Sequence, residues 1–118
     1  MDTLPITIEN GRVTIRPAAE GVWLTQHEIA RLFSTFVSTV NSNVRSILKS
    51  GVLREETVCR HRNTPNGGVM TLYNLEMITA LAFRVKTRET ELFRAWMIRQ
   101  AAHPVILWHI PVGDPALN

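Results

Sequence analysis

The chain has 118 residues, 45% of them hydrophobic, and a formal net charge of +3 with a sequence pI of about 9.8, which permits binding to a polyanion without requiring it. A chain of this length buries about two-thirds of its unfolded surface, so we expect one domain over residues 1–103 followed by a tail over 104–118. Its single cysteine, Cys59, excludes an intramolecular disulfide, and the sequence has neither a signal peptide nor a run of about 18 apolar residues, which indicates a soluble, cytoplasmic protein without a membrane span.

Near the N-terminus, alternating apolar and polar residues predict a β-hairpin. The dipeptide Asn10-Gly11 fits a tight type I′ turn between its two strands. A loop is expected over residues 17–21. Trp23 then stands between aliphatic neighbours, and we expect it to anchor the core rather than to stack on a ligand.

Residues 25–51 have the apolar spacing of two short helices in quick succession. In each helix, apolar residues recur at steps of three and four: Ile29, Leu32 and Phe33 in the first, then Val37, Val40, Val44, Ile47 and Leu48 in the second. Thr25 and Glu28 match a capping box that starts the first helix near Gln26. The second helix is predicted over residues 37–50, with Gly51 as its left-handed C-terminal cap.

Polar side chains line the side of the second helix that lies opposite its apolar stripe. They are short hydrogen-bonding groups followed by cations: Ser38, Asn41, Ser42, Arg45, Ser46 and Lys49. Hydroxyls and amides can meet base edges in a major groove, and arginine or lysine can meet guanine or phosphate. The pattern predicts a helix-turn-helix whose second helix reads DNA, and an αα-hairpin with a solvated Ser/Asn face is the alternative.

A second hairpin is predicted where two β-prone runs, over residues 57–62 and 69–73, flank Pro65-Asn66-Gly67-Gly68. It follows the second helix directly, as the wing of a winged helix does. Arg60, His61 and Arg62 crowd one strand, and a basic hairpin over residues 60–68 can lie along a phosphate backbone or enter a minor groove. Arginines on an edge strand can also serve to keep that strand from pairing with another chain, and this explanation fits these residues equally well. Their position next to the helices favours DNA binding.

Two further helices are predicted after this hairpin. Asn74 can cap one over residues 75–84, and Thr87 can cap another that runs to about Ala102. The predicted fold is therefore an α+β, winged helix-turn-helix-like domain with about four helices. Three cations at the junction of these helices could make a further phosphate contact, although a solvated corner is favoured: Arg84, Lys86 and Arg88.

The sequence favours neither a metal site nor an enzyme. Cys59 and His61 lack the further ligands at the usual spacings that a structural zinc requires. A Gly-rich phosphate loop, a nucleophile elbow and a carboxylate pair at a suitable site are all missing from the sequence. We therefore expect no cofactor and no catalytic residues.

Several separated motifs resemble, in the right order, the N-terminal part of the RhuM family. They are Val22-Trp23-Leu24-Thr25-Gln26, Ala30, Leu32-Phe33, Gly51, Val58-Cys59, Tyr73-Asn74-Leu75-Glu76, Phe83-Arg84-Val85 and Phe93-Arg94-Ala95-Trp96. The match covers roughly residues 20–99. The resemblance implies a bacterial, DNA-associated protein of a group labelled as virulence or DNA-binding proteins, often found on mobile DNA.

The chain departs from the family pattern in two places. Ser34-Thr35-Phe36 stands where relatives tend to have a glycine and an aliphatic residue, and the segment after Gln100 does not resemble the family's continuation. Relatives are also longer, which implies that a partner-binding or effector portion is missing here. The apolar tail over 104–118 either docks on the domain, exchanges into a neighbouring copy, or belongs to a truncated reading frame.

The sequence thus predicts a protein that binds double-stranded DNA as a transcriptional regulator or mobile-element accessory factor. Ser38, Asn41, Ser42, Arg45 and Lys49 would read the groove, with Arg60 and Arg62 on the flanking backbone. The alternative is a protein-interaction module, antitoxin-like or an adaptor, with an exposed apolar patch around Phe36 and Val37 or around the tail. A remnant without independent activity is a third reading, and homodimerisation stays open.

Overall fold

The computed structural model describes residues 4–16 and 21–103 of the chain. Its elements are, in order, β1 (Ile6–Glu9), β2 (Arg12–Ile15), β3 (Trp23–Leu24), α1 (Gln26–Leu32), α2 (Val37–Ser50), α3 (Glu55–Val58), β4 (Cys59–Asn63), β5 (Val69–Asn74), α4 (Leu75–Ala82) and α5 (Arg88–Ala102). They form an α+β domain with two antiparallel sheets and five helices within these ranges. The tail predicted over 104–118 and the predicted loop over 17–21, except Gly21, lie outside the described residues.

The first hairpin forms as the sequence predicts. Strands β1 and β2 pair antiparallel, with Glu9 opposite Arg12 at the turn. Asn10 and Gly11 have φ values of 54° and 74°, and positive φ at both central positions is what a type I′ turn requires.

The capping box at the start of α1 is also confirmed. The Thr25 hydroxyl accepts the Glu28 N–H at 3.1 Å, and the Glu28 carboxylate accepts the Thr25 N–H at 2.9 Å. Both bonds satisfy backbone donors that the first turn of a helix otherwise leaves unpaired, so they fix where α1 begins.

A tight turn over residues 33–36 joins α1 to α2. Ser34 takes φ 52°, a left-handed conformation that favours glycine, and the Thr35 N–H donates to the Ala30 carbonyl at 2.9 Å. The helix α2 has the predicted bounds and ends at Gly51, whose φ of 81° gives the predicted left-handed cap.

The second sheet differs from the prediction in two respects. Its hairpin, β4 and β5, is present as expected, but Trp23–Leu24 adds a short third strand, giving the order β3-β5-β4. A single helical turn, α3, stands before β4 where we predicted extended chain, so the described helices number five rather than about four. A one-turn helix has no apolar repeat to reveal it in the sequence.

The core draws residues from both sheets and from all five described helices. Its buried members include Ile6, Leu24, Ile29, Phe33, Val40, Ile47, Val58, Ile78, Leu81 and Phe93. The Phe33 and Phe93 rings meet edge to face with centroids 5.5 Å apart. Trp23 is not part of this core, contrary to prediction, and is half-buried at the sheet surface.

The last two helices begin at the predicted caps. The Asn74 side chain accepts the Met77 N–H, and Thr87 forms a capping box with Thr90. The predicted end of α4 near Arg84 was too late by two residues, because Phe83 already caps the helix. The Thr87 hydroxyl also donates to the Phe33 carbonyl at 2.8 Å, which ties the start of α5 to the turn after α1.

Candidate nucleic-acid interface

The predicted reading face of α2 is exposed along its whole length. Ser38, Asn41, Ser42, Arg45, Ser46 and Lys49 are all exposed, whereas Val40, Val44 and Ile47 on the other side are buried. Because apolar residues recur at steps of three and four, packing that stripe into the core turns every predicted contact residue of this helix outward. The structure therefore brings together the predicted set on α2.

Arg84 adds a third cation to this face. Its guanidinium Nη1 donates to the Ser46 hydroxyl at 2.9 Å, so a residue just after α4 reaches across to the middle of α2. The sequence favoured a solvated corner for Arg84, because nothing in the local pattern shows that α4 packs beside α2. The proposed cationic set on this face is thus Arg45, Lys49 and Arg84.

Asn41 is connected to the second sheet through Gln26. The Gln26 amide Nε2 donates to Asn41 Oδ1 at 3.3 Å and to the Tyr73 hydroxyl at 3.1 Å. Gln26 is the first residue of α1, and Tyr73 lies in the central strand β5. These hydrogen bonds were not predicted, because they depend on how β5 packs against the two helices, and Tyr73 is 47 residues from Gln26 in the sequence.

Arg60 and Arg62 lie on one face of β4, and Tyr73 lies on the other face of the sheet. Arg60 is opposite Leu72 and Arg62 is opposite Met70, while Cys59 is opposite Tyr73. Since side chains alternate along a strand, the two arginines face away from the side on which Tyr73 meets Gln26. The structure therefore groups Arg60 with Arg62 but does not place them beside Asn41.

Arg60 stacks on an aromatic ring, whereas Arg62 is exposed. The Arg60 guanidinium carbon lies 4.1 Å from the centroid of the Trp23 ring, a cation–π contact on the half-buried surface of the sheet. The Trp23 ring therefore packs against the guanidinium of Arg60. This contact gives Arg60 a structural role in addition to any binding role.

On the opposite face of the hairpin, His61 has polar neighbours. Its Nδ1 lies 3.1 Å from the Thr71 hydroxyl, and its Nε2 lies 4.0 Å from a Glu55 carboxylate oxygen of α3. A cleft of about 480 Å³ separates this side of β5 from the start of α1 and is lined in part by Gln26, Thr71 and Tyr73.

Two groups near the start of β4 have pKa values that their surroundings shift. Burial raises the pKa of the Cys59 thiol, and the nearby Glu55 carboxylate raises it further, so the thiolate is disfavoured. A hydrogen bond from Arg54 lowers the pKa of the exposed Glu56. Among residues 4–16 and 21–103, His, Cys, Asp and Glu form no cluster of three or more that could hold a metal ion.

Apolar surface is also present outside the polar face of α2. Phe36, in the turn before α2, is 77% exposed, while the adjacent Val37 is half-buried. A separate groove of about 520 Å³ lies beside α4 and is lined by Val52, Leu53, Leu75 and Met97, among others. The helices in the described part of the chain are too short or too polar to cross a membrane.

No protein-family model matches the chain, and comparisons with curated proteins and with solved structures give no match either. The resemblance to the RhuM family therefore stays a prediction, and the candidate interface rests on its geometry.

Proposed function

We propose that this protein binds duplex DNA through a winged helix-turn-helix, with α2 in the major groove. The observation that carries the proposal is the exposed polar face of α2, on which Arg84 adds a third cation to Arg45 and Lys49. Short hydroxyl and amide side chains let the helix backbone come close to base edges, and cations beside them can neutralise phosphates.

The hairpin of β4 and β5 would act as the wing. Arg62 is exposed on the edge strand, and the tip is closed by hydrogen bonds between Thr64 and Gly68, so the hairpin presents a defined basic edge. Because Arg60 and Arg62 face away from Asn41, their contact would be with a flanking stretch of backbone rather than with the base pairs under α2.

Two features of the proposed role come from the sequence. The resemblance to the RhuM family supports a transcriptional regulator or mobile-element accessory factor in a bacterial cytoplasm. A single helix-turn-helix reads a short half-site, so a homodimer on a two-fold site would double the contact.

The test is fluorescence anisotropy with a mixed-sequence duplex over a range of salt concentrations. We expect micromolar or tighter binding that weakens steeply with salt, and in Arg45→Ala/Lys49→Ala a loss of at least about tenfold with a salt slope smaller by about two. The matched control, Arg12→Ala/Arg99→Ala, removes two exposed cations outside α2 and the β4–β5 hairpin and should change binding much less. A folded wild-type protein without salt-sensitive binding would overturn the proposal.

The exposed Phe36 supports a second candidate function, a protein-interaction module. An aromatic ring that is 77% exposed at the start of α2 is a suitable anchor for an apolar partner surface. Phe36→Ser discriminates the two functions: it should leave duplex affinity nearly unchanged if α2 reads DNA, and should abolish capture of a copurifying protein if the helices bind a partner.

A further inference from the structure

Asn41 lies on the side of the proposed reading face that is next to Gln26, and its amide is oriented by a hydrogen bond within the protein. Asn41 Oδ1 accepts from Gln26 Nε2 at 3.3 Å, and the same nitrogen donates to the Tyr73 hydroxyl at 3.1 Å. The two N–H groups of the Gln26 amide are therefore both used, one on each neighbour.

We propose that Gln26, held by Tyr73, fixes the Asn41 amide so that it offers its Nδ2 donors to the major groove and selects a base that presents acceptors there. This inference rests on the proposed DNA binding and specifies how one base pair is read. Gln26 and Tyr73 are positioning residues, since they act on the base through Asn41.

The orientation of the Asn41 amide can select a base because an asparagine side chain is asymmetric. Its amide has an acceptor oxygen on one side and a donor nitrogen on the other, and an unconstrained amide can present both to adenine, which displays a donor and an acceptor. When Oδ1 is held toward Gln26, the Nδ2 donors of the exposed Asn41 lie on the other side of the amide and would be available to a bound duplex. Guanine, with acceptors at both N7 and O6, and thymine, with O4, match those donors.

Tyr73 is well suited to fix this geometry. It is only 6% exposed, and its backbone is paired on both sides, with Leu24 of β3 and Cys59 of β4. Its hydroxyl is therefore a fixed point, whereas a half-buried glutamine without that partner would change rotamer. The sheet thus sets the orientation of a side chain on α2.

The experiment is selection of bound duplexes from a randomised DNA pool by the full chain and its variants. Asn41→Ala identifies the base pair that Asn41 reads, as the position at which the preference disappears. At that position we expect the wild type to enrich guanine or thymine on the contacted strand.

Gln26→Glu is the decisive variant, because it keeps the shape of the side chain and replaces its donor by an acceptor. The Asn41 amide should then turn, donate Nδ2 to the introduced carboxylate and present Oδ1 to the DNA. The preference should change to adenine or cytosine, which offer donors, by about tenfold in relative enrichment. Tyr73→Phe, which removes only the hydroxyl, should broaden the preference at the same position. Gln100→Glu, with the same change of charge on α5, should leave the preference unchanged.

The outcomes separate this inference from the proposed function. If the wild type binds duplexes but prefers adenine or cytosine, or if Gln26→Glu keeps the wild-type base, the positioning role is wrong while DNA binding stands. The positioning role is also wrong, while DNA binding stands, if the wild type binds duplexes without any base preference at this position. If the folded wild type binds no duplex, both proposals are overturned.

Discussion

Arg84 and Ser46 are 38 residues apart in the chain, yet the Arg84 guanidinium donates to the Ser46 hydroxyl at 2.9 Å. Both residues are exposed, so the bond contributes little to stability and its main effect is to hold a cation over the outer face of α2. We expect Arg84→Ala to weaken duplex binding several-fold and to reduce the salt slope by about one.

Fluorescence anisotropy across salt concentrations measures this effect, and Lys86→Ala is its control. That variant removes the same charge from an exposed residue two positions away. If the two variants bind equally well, Arg84 has no special place in the interface. Thermal unfolding of Arg84→Ala should match that of the wild type.

Arg60 and Arg62, which lie on the same face of β4, should respond differently to truncation. Arg60→Ala removes the cation–π contact with Trp23, so we expect the free energy of unfolding to fall by about 1 kcal/mol. Arg62→Ala should leave stability unchanged, because Arg62 is exposed, but should weaken duplex binding. Urea denaturation measures the stability of both variants, and fluorescence anisotropy measures the duplex binding of Arg62→Ala. A stability loss in Arg62→Ala equal to that in Arg60→Ala would contradict the assignment of roles.

The left-handed conformation of Ser34 predicts an unusual response to glycine. At φ 52° a side chain clashes with its own backbone, so Ser34→Gly should be more stable than Ser34→Ala by about 1 kcal/mol. The control is Ser42, an exposed residue inside α2, where the order should reverse because glycine is the poorer helix former. Chemical denaturation measures both pairs, and the same order at the two sites would contradict the turn geometry.

Tyr73 is the one tyrosine of the sequence, so the absorbance of tyrosinate reports on it directly. Burial raises its pKa above the ordinary value of 10.0, and the hydrogen bond from Gln26 partly opposes that shift. The unfolded chain therefore ionises first as the pH rises, and this tyrosine should make the free energy of unfolding decrease above about pH 10. Gln26→Leu should raise the pKa of Tyr73 further, and a decrease on this substitution would contradict the donor role of Gln26.

The local signals explain which parts of the structure could be predicted. The Asn10-Gly11 turn, the Thr25 capping box and the Gly51 cap each depend on residues close together in sequence, and all three are confirmed. The helix α3 and the strand β3 were missed because each is too short to show a hydrophobic repeat, and β3 exists only by pairing with β5.

The sequence by itself determined which side of α2 faces outward, because the repeat of its apolar residues leaves one side for solvent. The tertiary structure decided which residues of other elements lie near that side of α2, and which do not. It placed Arg84 against Ser46, connected Asn41 to Tyr73 through Gln26, and turned Arg60 and Arg62 to the opposite face of the sheet. A helical repeat is a property of residues close together in sequence, whereas these contacts depend on how separate elements pack and on the register of the strands. A shift of one residue in that register would move the side chains of a strand to the other face of the sheet.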